Sequence, residues 1–158
     1  DGNGKSKQYA NIITGDSAKK PLLGAHNLVI DGCKFNGTFA KGGASIAFTD
    51  QNRKSGSSGN VTIKNCTFET VGSYYDIYGH YTGDGSNGFG DFAIENNTFK
   101  TVFPQGMPVY LGRYASKTPV VVKGNTFETV ASLEDAVYVQ DHSTYGVSID
   151  ASNNTFAN

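Results

Sequence analysis

Tryptophan is absent, methionine occurs once, cysteine twice and proline four times in 158 residues. Neither sign of charge dominates, with 13 Lys+Arg against 14 Asp+Glu. That balance gives no electrostatic basis for binding nucleic acid or an anionic membrane. No apolar run is long enough to span a bilayer. No signal peptide is visible and the first residue is Asp1, which suggests a processed or excised segment. What is abundant is glycine, at 20 residues, together with Asn, Thr and Ser. That composition suits short strands and many turns, in one domain spanning 1–158 with a polar lead-in at 1–8.

A repeat organises the chain. "NCTFET" at 65–70 returns as "NNTFKT" at 96–101, "GNTFET" at 124–129 and "NNTFAN" at 153–158. Its phenylalanines, preceded by Phe35, form the series Phe35, Phe68, Phe99, Phe127 and Phe156, at steps of 33, 31, 28 and 29. Seven and five residues before Phe stand Leu28/Ile30, Val61/Ile63, Phe92/Ile94 and Val120/Val122. In the last copy Val147 and Ile149 match this pair if two residues are inserted. A second alternating run recurs between copies, as "SIAF", "DIYG", "PVYL" and "AVYV", and "YANII" fits as an earlier one. Each repeat therefore reads as three short strands: A ("AVYV"), B ("VVV") and C ("TF"). A single rung cannot bury an apolar face, so rungs must stack about 4.8 Å apart.

The B–C turn is the most specific feature. Three residues before Phe only Gly or Asn occurs: Gly32, Asn65, Asn96, Gly124 and Asn153. Both tolerate positive φ, so a left-handed corner is expected. Two before Phe stand Cys33, Cys66, Asn97, Asn125 and Asn154. Stacked Asn side chains can hydrogen-bond along a ladder and satisfy polar groups at a buried bend. Cys33 and Cys66 share this column in adjacent rungs, so a disulfide is geometrically possible, the other reading being two inward-facing thiols in place of ladder Asn.

On the "NNTF" corner and the three-strand rung, residues 9–157 resemble the right-handed parallel β-helix superfamily typified by pectate lyases and polygalacturonases. The resemblance implies an all-β, right-handed, single-stranded parallel β-helix of about five rungs, in a secreted or cell-surface bacterial protein. It also implies that ligand lies along the strand A side. The expected outward residues there are Asp76, Tyr78, Pro108, Tyr110, Ala136 and Tyr138. Tyr78, Tyr110 and Tyr138 fall in vertical register, as a platform for sugar rings or as cross-strand packing. The A–B loops add His80, Arg113, Tyr114, Asp141 and His142 to this edge. Asp50, Asp84 and Asp141 are candidate calcium ligands, although no calcium motif is present; otherwise no cofactor is indicated.

"LEDAVYV" places Glu134 and Asp135 before strand A, which resembles the acidic pair entering that strand in polygalacturonases. With Asp76 two rungs earlier, about 10 Å away by rung counting, these are the catalytic candidates. The family's "NTD" and "RIK" signatures have no counterpart, nor does the lyases' calcium cluster with its basic neighbour. Three functions therefore stay open: a polysaccharide-binding or adhesive module, a lyase or glycosidase fragment, and a filament subunit. The last copy carries no cap, so further rungs or copies of the chain are expected against it.

Overall fold

The computed structural model describes residues 10–14, 26–39, 43–49, 59–80, 90–114, 118–141 and 146–157. It is a parallel β-solenoid with three strands per turn. Sheet A stacks β1 (Ala10–Thr14), β4 (Ala44–Thr49), β7 (Tyr75–His80), β10 (Met107–Tyr114) and β13 (Val137–Asp141). Sheet B stacks β2 (His26–Asp31), β5 (Gly59–Lys64), β8 (Gly90–Glu95), β11 (Val120–Lys123) and β14 (Ile149–Ser152). Sheet C stacks β3 (Lys34–Thr38), β6 (Thr67–Val71), β9 (Thr98–Phe99), β12 (Thr126–Phe127) and β15 (Thr155–Phe156). Neighbours within each sheet run parallel, and the "YANII" run supplies the first strand of sheet A from Ala10 onward.

The B–C corner is built as its residues dictate. Gly32, Asn65, Asn96, Gly124 and Asn153 all have φ between 54° and 66°. The next residue carries the ladder. Asn97 Oδ1 accepts from the Cys66 main-chain N–H at 2.9 Å, while its Nδ2 donates to the Ile63 carbonyl at 2.9 Å. Asn125 does the same for Asn97 N–H and Ile94 O, and Asn154 for Asn125 N–H and Val122 O. Each carboxamide thus serves one donor and one acceptor of the preceding rung, and the ladder has a direction. Cys66 substitutes with a thiol, whose Sγ lies 3.7 Å from the Ile30 carbonyl.

Directly beside the ladder the five phenylalanines stack. Successive ring centroids from Phe35 to Phe156 are 4.9, 4.9, 4.7 and 5.4 Å apart, with interplanar angles of 4–7°. Each buried Phe contributes roughly 1.5–3 kcal/mol through burial, and each ring pair about 0.5–1.5 kcal/mol more. Ile46, Ile63, Ile77, Ile94, Val109, Leu111 and Val122 complete the apolar interior.

Two expectations are corrected. The last copy has no two-residue insertion: Ile149 pairs with Val120 and Ala151 with Val122. The corner fixes the count back from Phe156, and the rung keeps that register although it leaves Ala151 exposed. In addition, Ala136, expected to open the "AVYV" strand, instead ends a one-turn helix, α1 (Leu133–Ala136), whose first turn is capped by the Ser132 side chain accepting from the Asp135 N–H.

Asn125→Ala should destabilise the protein by about 2–4 kcal/mol, because the buried Ile94 carbonyl and Asn97 N–H lose their partner together. Thermal unfolding should show this as a Tm fall of roughly 6–12 °C. Thr155→Ala, on the exposed face, should stay within about 0.5 kcal/mol of the parent. Equal effects of the two changes would refute the ladder as a source of stability.

Candidate functional site

The strand A side is where the expected functional residues meet. Tyr78, Tyr110 and Tyr138 are direct register partners across β7, β10 and β13. Their rings stack along the solenoid axis, with centroids 5.6 Å apart for Tyr78–Tyr110 and 5.0 Å for Tyr110–Tyr138. Tyr75, which strand alternation would turn inward, joins them at 4.8 Å from Tyr78 and 5.2 Å from Tyr110. The "YYD" doublet was the available signal for it.

This stacking decides what the row presents. The two faces of Tyr110 are covered by Tyr78 and Tyr138, so solvent meets ring edges. The Tyr110 ring also leans along its strand: a Cβ at Gly112 would lie 3.2 Å from its Cε1 and 3.8 Å from its hydroxyl. Tyr138, the last of the file, is the most open at 43% exposure. Burial beside Tyr75 and Tyr110 pushes the Tyr78 phenol up to about 12, so it remains a neutral hydrogen-bonding group at any physiological pH. The row is therefore both cross-strand packing and an edge-on polar surface.

The expected outward set is wrong at three positions. Asp76, Pro108 and Ala136, which share one column, are buried. For Asp76 the cause lies at the C–A corner. Tyr74 N–H and Tyr75 N–H both donate to the Gly43 carbonyl, which takes one residue out of alternation as the chain enters β7. Tyr75 goes out and Asp76 goes in.

There Asp76 enters a hydroxyl-lined corner. Its Oδ1 accepts from Thr101 Oγ1 at 2.7 Å and from Ser45 Oγ at 3.5 Å. Thr70 and Ser73 hydroxyls hydrogen-bond to each other at 2.7 Å, and Thr70 N–H donates to Thr101 Oγ1 at 3.1 Å. Asp76 Oδ2 is buried with no protein partner. Burial pushes the carboxyl up to about 7, against the opposing hydrogen bonds from Thr101, Ser45 and Thr70. This cluster escaped the sequence reading, although the threonine two residues after Phe recurs as Thr70, Thr101 and Thr129.

Asp76 is sealed from solvent, whereas Glu134 and Asp135 are exposed on α1. Asp135 Oδ2 accepts from Ser132 Oγ at 2.9 Å, so its role is local capping. Asp50, Asp84 and His142 lie outside the described residues, as do the side chains of His80, Arg113, Tyr114 and Asp141. The backbone nevertheless sets His80, Tyr114 and Asp141 at the same ends of β7, β10 and β13, with Tyr114 paired to Asp141. Among the described residues no His, Cys, Asp and Glu cluster is suited to a metal. Cys33 and Cys66 are free thiols, and Cys33 is exposed where an inward position was expected. Comparison with protein-family models, curated proteins and solved structures gives no match.

Asp76 makes stability pH-dependent in a definite direction. In the unfolded chain it ionises near its ordinary value of 3.8, but in the native state only near 7. The Asp76 contribution to stability is therefore most favourable below pH 3.8, falls as pH rises between the two values and is flat above about 7. The full loss is on the order of 4 kcal/mol. Subtracting Asp76→Asn stabilities from parent values, by urea unfolding across this window, should isolate that slope. Parallel curves for the two proteins would show that Asp76 ionises at the same pH in the native and unfolded states.

Proposed function

We propose that this chain is an extracellular β-helical module, of the pectate-lyase-like type and belonging to a secreted or cell-surface bacterial protein, that binds polysaccharide along its tyrosine-bearing side. The observation that supports this reading is the stacked file of Tyr75, Tyr78, Tyr110 and Tyr138 on the outer face of sheet A. Its rings repeat every 5.0–5.6 Å from Tyr78 to Tyr138, a step of the same order as one sugar unit in an extended chain. A glycan laid parallel to the solenoid axis would meet ring edges and phenol hydroxyls, with Tyr138 offering the most open ring. This is hydrogen-bonded, edge-on recognition; broad stacking of sugars on ring faces is blocked inside the file. An exposed glycan-binding side would equally serve adhesion to a surface.

The lyase or glycosidase reading receives less support. A carboxyl pair needs both members within reach of the sugar, and Asp76 is buried whereas Glu134 and Asp135 are exposed. The geometry thus favours binding over bond cleavage.

Affinity electrophoresis through gels cast with acidic or neutral polysaccharides tests the proposal. The parent chain should be retarded by at least one of them. Tyr110→Ala, which removes the ring that orders both neighbours, should weaken retention by roughly tenfold, and Tyr138→Ala by several-fold. No retardation in any gel, or a Tyr110→Ala protein that runs as the parent does, would count decisively against glycan binding.

A further inference from the structure

The B–C corner carries two asparagine columns with opposite exposure. Ladder residues Asn97, Asn125 and Asn154 turn their carboxamides inward, each to a carbonyl and an N–H of the preceding rung. Asn65, Asn96 and Asn153, at the left-handed turn itself, are exposed. Two residues after each of these stands a threonine, Thr67, Thr98 or Thr155, none of them buried. The triplet Asn-x-Thr, with x other than proline, is the acceptor signal for an asparagine-linked sugar. It occurs twice more, with Asn36 and Thr38 and with Asn60 and Thr62, and both asparagines are again exposed. No ladder asparagine belongs to such a triplet, because phenylalanine stands two residues after each.

The scaffold alone does not require this pairing. Glycine makes the same left-handed corner at Gly32 and Gly124. At an outward strand position valine serves as well as threonine. Thr62 is the one hydroxyl in a column with Val29, Ala93, Val121 and Asp150, and it follows Asn60. Thr38 heads a column that continues as Val71 and Val102, and it follows Asn36. In both columns the hydroxyl stands in a rung that has the exposed asparagine two residues earlier.

The corner also leaves room for a substituent. Asn65 lies beside Gly32 along the axis, and Asn96 and Asn153 flank Gly124. A Cβ at Gly32 would meet nothing within 4 Å, and Asn96 Oδ1 lies in the space that a Cβ at Gly124 would take. Asn65 Nδ2 donates one N–H to Asp31 Oδ1 at 2.8 Å, so its second N–H is the one a sugar would replace.

We infer that the exposed corner between sheets B and C is a glycosylation site, at which Nδ2 of Asn65, Asn96 and Asn153 takes a sugar from a phosphate-activated glycosyl donor. Asn36 and Asn60 are further acceptors of the same kind. A glycosyltransferase supplies the catalysis. Nδ2 attacks the anomeric carbon, a C–N bond forms, and the bond from that carbon to the phosphate oxygen breaks. The electron pair of the broken bond leaves with the phosphate group, and one amide proton is released. The modified edge lies away from sheet A, so the tyrosine file stays open. The inference does not rest on glycan binding there.

Peptide mapping by mass spectrometry, on the full chain purified from its own host, tests this. Sugar is expected on Asn65, Asn96 and Asn153, and on none of Asn97, Asn125 and Asn154. A single hexose at each site would identify a nucleotide-sugar donor, and a preassembled oligosaccharide a lipid-linked donor; both support the inference. Made in the same host, Thr98→Val should lose the sugar at Asn96 and keep it at Asn65 and Asn153. Its Tm should stay within about 2 °C of the parent, which shows that the fold is kept. An unmodified chain overturns the inference. So does sugar at Asn96 that survives Thr98→Val, or sugar confined to serine and threonine hydroxyls.

Discussion

The structure depends on a carboxamide placed at a buried bend. Three strands per turn require the chain to change direction sharply between sheets B and C, within two residues. Main-chain groups at such a bend cannot all reach a sheet partner, and leaving them dry costs about 1–3 kcal/mol each. A left-handed Gly or Asn makes the turn without strain, and the following Asn supplies a donor and an acceptor together. Because that side chain must lie directly beside the next, successive rungs are locked in vertical register. The Phe stack and the three parallel sheets are consequences of this alignment. Where Cys66 takes the Asn position, the thiol still approaches the Ile30 carbonyl, and burial pushes its pKa up, keeping it a neutral thiol suited to the interior.

The same register produces the tyrosine file. Residues of one column are brought to about the spacing at which aromatic rings stack, so three tyrosines at equivalent positions pack face to face as a matter of geometry. Packing and presentation are thus opposed properties of one row. The more fully the rings cover each other, the less of their faces remains for a ligand. The inner side of the corner meets the reverse problem. Asp76 has hydroxyl neighbours but no charged partner among the groups that shift it, so the neutral acid is the form the interior tolerates up to near pH 7.

How much of this was legible in the sequence follows from where each constraint acts. The Gly/Asn column and the Phe column were readable because both are imposed at fixed offsets inside a short motif. The tyrosine register was readable because it needs only alternation within a strand and the repeat period. Asp76 was misread because alternation fails where Gly43 accepts two consecutive N–H groups, and that event involves residues of different rungs. The last strand of sheet B was misaligned because the apolar pair Val147/Ile149 looks better than Ile149/Ala151. The corner, not hydrophobicity, sets the count. The helical "LEDA" was hidden by the strand pattern that follows it, although Ser132 three residues before Asp135 is a recognisable cap.

A ligand on the tyrosine side would inherit the periodicity of the scaffold. The rungs of β7, β10 and β13 each offer nearly the same edge-on group one step further along the axis, and individually such contacts are weak. Affinity must then come from how many rungs a ligand spans, because contacts made by one repeating molecule reinforce each other once the first has formed. A linear polymer with a matching repeat could slide by one unit and regain most of its interactions. Recognition of this kind discriminates by repeat length and hydroxyl pattern, not by a unique end group. It also tolerates variation at the loop ends of β7, β10 and β13, since the register that aligns the tyrosines is fixed elsewhere, at the Asn corner across the solenoid.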